Sequence, residues 1–271
     1  MNTIDNRTHI KGKLSSIYAL SVLVAILITI ASIAGLVSRG TIYPTEELVQ
    51  SFVPNDVVNL LIGLPILLGS MWLAWRGKLI GLLCWPGALF FVTYNYIAYV
   101  FAMPLNWLFI LHLAQVVLSV YTLIGLVAKI DGNLVQQRLS GKVPDKLAGC
   151  ILAGLGILFL LRGLGVLVAA ISSGNTLRET ELAVNIADSL TIPAWVIGGI
   201  LLWRRQAFSY VIGLGLLFQG SMLFIALIIF LLLQPLLTSA SFALVDVIVI
   251  FVMGLICFIP FTFFARGVGK S

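Results

Sequence analysis

The sequence is a succession of apolar runs, each long enough to cross a lipid bilayer as a helix. A spanning helix needs about 20 mostly apolar residues. Eight runs meet or nearly meet this requirement, at 14–37, 57–75, 79–101, 107–128, 147–171, 186–203, 207–233 and 243–265. The connectors are too short to hold a soluble domain, so any function must reside in or at the membrane. We therefore predict an all-α integral membrane protein with eight transmembrane helices.

The composition excludes the main soluble classes. Hydrophobic residues make up 61% of the 271 residues and charged residues 10%, whereas a soluble domain is roughly half apolar and about a quarter charged. The mean hydropathy of the chain is +1.13. This value excludes a cytosolic enzyme, a nucleic-acid-binding domain, a disordered chain and a disulfide-stapled secreted module. We expect membrane lipids, and not nucleic acid, as partners.

The distribution of charge predicts the orientation of the helices. Most of the 16 Lys and Arg residues fall on the side of the N-terminal tail, whereas Arg39 and Arg178 fall on the opposite side and Arg162 lies within a span. Basic residues collect in cytoplasmic loops, which also explains the net charge of +6. We predict that both termini are cytoplasmic, in a bacterial plasma membrane.

The two halves of the chain are similar in sequence. When the sequence is displaced so that one half overlies the other, several distinctive residues coincide: Pro65 with Pro193, Trp75-Arg76 with Trp203-Arg204, and Gly87 with Gly215. Each half has an even number of helices, so the second half enters the membrane from the same side as the first. We predict two parallel four-helix repeats, 1–128 and 147–271, joined by a cytoplasmic linker at 129–146.

Pro65 and Pro193 fall within the second helix of each predicted repeat. A proline removes one backbone hydrogen bond and kinks a helix. One interpretation is a pair of hinges lining a central cavity. The other is a packing kink, because proline is commoner in membrane helices than in soluble ones.

Charged residues within the spans indicate a polar region in the outer half of the membrane. Arg162 is placed there, with Asp246 and Asp188 as candidate partners. An ionisable group in hydrocarbon is costly and therefore faces a partner or water. Two interpretations remain open: a structural ion pair, and a site that binds a substrate or an ion.

A second, neutral polar set lies in the predicted hairpin of the third and fourth helices. Asn95 and Tyr99 precede the short connector, and His112 and Gln115 follow it on one helix face. The short connector should bring these four side chains to a similar depth. They could form interhelical hydrogen bonds, or His112 could act as a proton carrier or a ligand.

The two longest connectors on the outer side, 38–56 and 172–185, are also expected to be partly helical. Thr45 or Thr180 could cap a short helix that continues towards a span. Leu48 and Phe52 would allow the first of these helices to lie on the membrane surface.

The sequence contains no motif that indicates catalysis, a cofactor or a metal. His-Glu-x-x-His, a phosphate-binding glycine loop and Gly-x-Ser-x-Gly are all missing from it. With His9 in the tail and His112 the only other histidine, a bis-histidine haem is excluded. The favoured function is binding or transport of a small or lipid-like ligand through an outward-facing pocket between the repeats. The alternatives are a structural subunit that stabilises a membrane-protein partner and, third, an integral membrane enzyme.

Overall fold

The computed structural model describes residues 10–270 and confirms the all-α class. Within that range the regular structure is helical, apart from one isolated bridge between Ile10 and Ile130. His9 lies outside the described residues. Eight helices are long and apolar enough to span a membrane: α1 (Ser15–Val37), α2 (Glu46–Trp75), α3 (Leu79–Ala102), α4 (Trp107–Lys129), α5 (Asp145–Ser173), α6 (Glu179–Trp203), α7 (Ala207–Leu237) and α8 (Leu244–Gly269).

Helices α2 and α6 begin well before the apolar runs that predict them. Helix α2 begins after Thr45, whose Oγ1 accepts a hydrogen bond from the Leu48 amide at 3.3 Å, as the capping pattern predicts. Leu48 and Phe52 are buried within the protein, so the expectation that this segment lies on the membrane surface is wrong. The hydroxyl of Thr180 donates to Glu47 and so ties the start of α6 to the start of α2.

The predicted hinge residues occupy interruptions in these same two helices. In α2, a π-helical turn at Asn59–Gly63 comes just before Pro65. Proline has no backbone N–H to donate to the preceding turn, and the wider π-helical turn accommodates its ring. In α6, Pro193 opens the second helical segment after Thr191. Pro65 is exposed and Pro193 is half-buried. Both breaks are therefore local features of the backbone beside the two prolines, and the hinge stays a prediction.

Helices α3 and α7 form the centre of the bundle. In the most apolar 18-residue stretch of α3, 83% of the residues are buried, more than in any other described span. Helix α3 packs against α2, α4, α6 and α7, whereas α7 packs against α6, α8, α2 and α3. The two central helices meet where Gly87 faces the backbone of Gly215.

The connectors divide between two ends of the bundle. The linker end carries residues 130–144 and the turns 76–78 and 204–206; the hairpin end carries residues 38–45, 103–106, 174–178 and 238–243. At the linker end, Asp145 binds Arg205 Nε at 2.8 Å and accepts a hydrogen bond from the Tyr210 hydroxyl at 2.8 Å. This pairing fixes the start of α5 against the α6–α7 turn.

Candidate functional site

A cavity of about 520 Å³ lies between the two halves of the chain, towards the hairpin end. This volume falls in the range of small-molecule sites, roughly 300–1,000 Å³. Helices α2, α3, α5, α6 and α7 all contribute to its wall. Its polar side chains include Asn55, Tyr94, Asn95, Arg162, Arg178, Glu181, Asn185, Asp188 and Gln219, and its apolar ones include Phe52, Phe159, Trp195, Leu223, Phe224 and Phe230.

Asp188 organises the polar part of the wall. Its Oδ1 accepts a hydrogen bond from the Tyr94 hydroxyl at 3.1 Å, and its Oδ2 lies 3.9 Å from Arg162 Nη1. The Asp188 side chain is only 8% exposed, whereas that of Arg162 is 59% exposed. The carboxylate therefore anchors the arginine, and most of the guanidinium remains available at the cavity.

A second arginine lines the same cavity. Arg178 is exposed in the connector before α6, and Glu181 lies one helical turn further on. Among the described residues, Arg178 forms no ion pair. The cavity lining therefore combines two cationic side chains with two acidic ones.

The apolar part of the wall is rich in aromatic side chains. Phe159 packs edge-on against Trp195 at a centroid distance of 6.2 Å and also contacts Phe224. The Trp195 indole donates to Gln219 Oε1 at 2.6 Å, which fixes the ring against the wall. The cavity is therefore amphipathic, with charged groups at one part of its lining and rings at another.

The cavity receives some, but not all, of the residues predicted from the sequence. Arg162, Asp188 and Asn95 line it, and the Asn95 amide donates to the Phe91 carbonyl at 3.0 Å. Asp246 is exposed in the first turn of α8 and forms no ion pair within the described range. Of the two candidate partners of Arg162, the fold places Asp188 beside it and leaves Asp246 away from the cavity lining.

Tyr99 belongs to a separate buried cluster around Asp56, a residue that the predicted run 57–75 leaves just outside the membrane. The Asp56 carboxyl accepts hydrogen bonds from the hydroxyls of Tyr43, at 2.5 Å, and Tyr99, at 2.8 Å. Asn59 Nδ2 lies 3.4 Å from the Tyr99 hydroxyl oxygen. Gly35 on α1 packs so closely on Asp56 and Tyr43 that a Cβ would overlap both side chains.

The early start of α2 is the reason that this cluster was missed. Starting the helix at Glu46 places Asp56 in its third turn, 2% exposed, and not at the membrane boundary. Burial and the neighbouring Asp56 raise the pKa of Tyr43, which lies between α1 and α2, so its hydroxyl stays protonated as a donor. The capping pattern at Thr45 is the sequence signal that could have revealed this.

His112 and Gln115 extend the cluster onto α4. The His112 ring lies 4.8 Å from that of Tyr99 and 5.6 Å from that of Tyr96, measured between centroids. Neither ring nitrogen has a hydrogen-bond partner among residues 10–270, and the same holds for the Tyr96 hydroxyl. Gln115 donates to the Val24 carbonyl at 3.1 Å, which ties α4 to α1. Tyr99 and His112 therefore lie in the Asp56 cluster, Gln115 contacts α1, and Asn95 lines the cavity.

Phe52 separates the cavity from the Asp56 cluster. Its side chain lines the cavity. Its ring stacks on that of Tyr43 at a centroid distance of 5.8 Å and contacts that of Tyr99 at a centroid distance of 4.4 Å. A single aromatic layer therefore lies between the two polar regions.

Neither region has the composition of a metal centre. In the described part of the chain, no three His, Cys, Asp or Glu side chains cluster as potential ligands. The cysteines are free; Cys84 and Cys257 are buried, and Cys150 is exposed.

No protein-family model matches the chain, and neither the curated proteins nor the solved structures give a match.

Proposed function

We propose that this protein binds a small or lipid-like ligand with an acidic headgroup in the cavity between its two halves, and moves that ligand as a non-enzymatic membrane protein. The observation that carries the proposal is the amphipathic lining, in which Arg162 and Arg178 share one cavity with Phe159, Phe224 and Trp195. An apolar body would pack against the rings. Carboxylate or phosphate oxygens would accept charge-assisted hydrogen bonds from the guanidinium groups.

The geometry of Arg162 supports an acidic headgroup. At 3.9 Å its contact with Asp188 is long, and its side chain is 59% exposed. The contact orients the guanidinium without occupying all of its donors. Arg178, which forms no ion pair within the described range, supplies a second set of donors.

The proposal includes two parallel four-helix repeats related by an axis along the membrane normal. In support, Gly87 and Gly215, which coincide when the halves are aligned, contact each other between α3 and α7. Equivalent residues meet in this way where a two-fold axis passes between them. The packing of α3 on α6 has its counterpart in the packing of α7 on α2.

The two halves differ in their polar residues, which favours one asymmetric site over a symmetric pore. The positions aligned with Arg162 and Tyr94 are Ala34 and Met222. With the basic linker in the cytoplasm, the cavity would open towards the outside at the hairpin end.

Ligand capture by the purified protein tests this function. The full chain in a mild detergent would be mixed with oleic acid or lysophosphatidic acid and examined by native mass spectrometry. We expect one bound amphiphile per chain, and none with Ala98→Phe, because Ala98 lines the cavity. The matched control is Ala169→Phe, at an exposed position on α5.

The arginines give a second, finer comparison. Arg162→Gln combined with Arg178→Gln should weaken capture about tenfold or more, since each charge-assisted hydrogen bond contributes roughly 1.5–3 kcal/mol. Arg39→Gln with Arg204→Gln, at exposed positions outside the cavity, should leave capture unchanged. Equal capture by all of these folded variants would contradict the proposal, and failure of the wild type to bind either amphiphile would favour the structural subunit.

A further inference from the structure

Two buried aspartates in this fold have closely similar surroundings except for one charge. Asp56 and Asp145 are 2% and 4% exposed, and each accepts a tyrosine hydroxyl at 2.8 Å, from Tyr99 and Tyr210 respectively. Asp145 also has Arg205 Nε at 2.8 Å. Asp56 forms no ion pair with any described residue. The Asp145 carboxylate is therefore paired with a cation, and the Asp56 carboxylate is not.

The groups that face Asp56 come from α1 to α4 and from the connector between α1 and α2, and none of them carries a permanent charge. They are Ser32 from α1, Tyr43 from the connector that follows, Asn59 from α2, Tyr96 and Tyr99 from α3, and His112 from α4. The Ser32 hydroxyl lies near the carboxyl group but outside hydrogen-bond geometry, and it has no other partner within residues 10–270. Both nitrogens of the buried His112 ring are likewise unpartnered there.

We propose that Asp56 is a proton-binding site of the folded protein. An ionised carboxylate without a counter-charge is unfavourable in a buried, low-dielectric site, and such a group takes up a proton instead. Uptake forms an O–H bond between one Asp56 carboxyl oxygen and a proton taken from water. On release that O–H bond breaks, its electron pair stays on the carboxylate, and the proton passes to water.

The tyrosines allow the ionised state to persist without unfolding. The hydroxyls of Tyr43 and Tyr99 point one hydrogen each at the two carboxyl oxygens, and such bonds stabilise the charged form. Tyr96 and His112, both almost fully buried, supply polar atoms beside this pair. One site can therefore hold the carboxyl group in both protonation states.

The same geometry disfavours a metal ion as the occupant. The tyrosine hydroxyls donate to the carboxyl group, so their hydrogens occupy the approach that a cation would need. Asn59 turns its amide nitrogen, which carries hydrogens, towards Tyr99. A hard cation requires about six oxygen ligands, and the described neighbours of Asp56 provide one carboxylate.

Infrared spectroscopy of the full chain in lipid nanodiscs tests the site directly. A protonated carboxyl group has a C=O stretching band well separated from that of a carboxylate. We expect such a band at acidic or neutral pH, its reversible loss as the pH is raised, and its absence in Asp56→Asn. Asp145→Asn is the matched control and should retain the band, because its carboxylate is paired with Arg205.

Two further variants keep the test decisive if Asp56→Asn does not fold. Asp56→Glu keeps a carboxyl group in different contacts, so its band should remain but at a changed wavenumber. Tyr99→Phe removes one donor and should also displace the band. These results would identify the absorbing group as residue 56.

Three results would overturn the proposal. The first is a folded wild type with no titrating carboxyl band between pH 4 and pH 10, and the second is a band that persists unchanged in Asp56→Asn. The third is a band that disappears when sodium replaces choline at constant pH, which would identify a cation site. The inference does not depend on ligand capture in the cavity, since no amphiphile is added.

Discussion

The Cα of Gly87 on α3 lies against the backbone carbonyl group of Gly215 on α7, so closely that no Cβ fits between the two helices. Small residues allow membrane helices to approach until their backbones touch, which gains van der Waals contact where no hydrophobic force acts between helices. This contact joins α3, the most buried of the described spans, to α7. It holds together two of the five helices that form the cavity wall.

Gly87→Ala should therefore destabilise the protein. The added methyl group would overlap the Gly215 carbonyl, and forcing the helices apart should cost about 1–3 kcal/mol. We expect a lower midpoint of thermal unfolding in detergent. Gly154→Ala is the control, because Gly154 is an exposed helical glycine with nothing within 4 Å of the new Cβ. A loss of stability at Gly154 equal to that at Gly87 would contradict the packing argument.

Arg162 should couple energetically to Asp188 and not to Asp246. Arg162→Ala leaves the Asp188 carboxylate, 8% exposed, with Tyr94 as its remaining described partner. Because Arg162 itself is more than half exposed, we expect a coupling of only about 0.5–1 kcal/mol. A double-mutant cycle of Arg162→Ala with Asp188→Asn, followed by thermal unfolding, measures this quantity.

The same cycle with Asp246→Asn is the internal comparison. Asp246 is exposed and forms no ion pair with a described residue, so its effect should add to that of Arg162→Ala within about 0.5 kcal/mol. Coupling to Asp246 with strict additivity at Asp188 would reverse the assignment.

The orientation of the bundle can be measured by cysteine labelling. The background is Cys150→Ala, since Cys84 and Cys257 are buried and Cys150 is exposed. Thr41→Cys or Thr176→Cys, both exposed at the hairpin end, should react with an impermeant maleimide added to intact cells. Ser140→Cys at the linker end should react only after lysis. The opposite pattern would place the termini outside and refute the prediction from basic residues.

His112→Leu should leave the protein folded and raise its thermal stability. The imidazole is 1% exposed and neither nitrogen has a partner among the described residues, and a buried polar group without a hydrogen bond costs about 1–3 kcal/mol. The midpoint of thermal unfolding in detergent is the measurement. Gln115→Leu is the comparison, because it removes a bond to the Val24 carbonyl and should lower stability. A marked loss of stability in His112→Leu would mean that the imidazole is hydrogen-bonded in the membrane.

The sequence predicted the helices well where apolarity alone defined them. Helices α3 and α4 begin and end within a residue or two of the predicted runs. It failed at the start of α2 and α6, where the buried polar residues Asp56 and Asn185 lower the local hydropathy. In a hydropathy pattern along the sequence, polar residues mark the end of a membrane span. Here they continue the helix, because neighbouring helices of the protein surround them.

The candidate sites, too, were predicted from the sequence only in part. The rule that an intramembrane charge needs a partner was sufficient to select Arg162 and to nominate Asp188. The rule could not decide between Asp188 and Asp246, because both lie at a similar depth in the predicted topology. The choice depends on which helices pack around α5, and α6 packs against it far more extensively than α8 does.

Length and apolarity, which are properties of the chain taken segment by segment, thus determined the helical class and the eight spans. Tertiary structure alone decided which polar groups meet. The 520 Å³ cavity draws on five helices, and the Asp56 cluster draws on α1 through α4. Such contacts join residues far apart in sequence, and they depend on the rotation of each helix about its axis. That rotation is set by packing contacts such as the one between Gly87 and Gly215, which no single segment encodes.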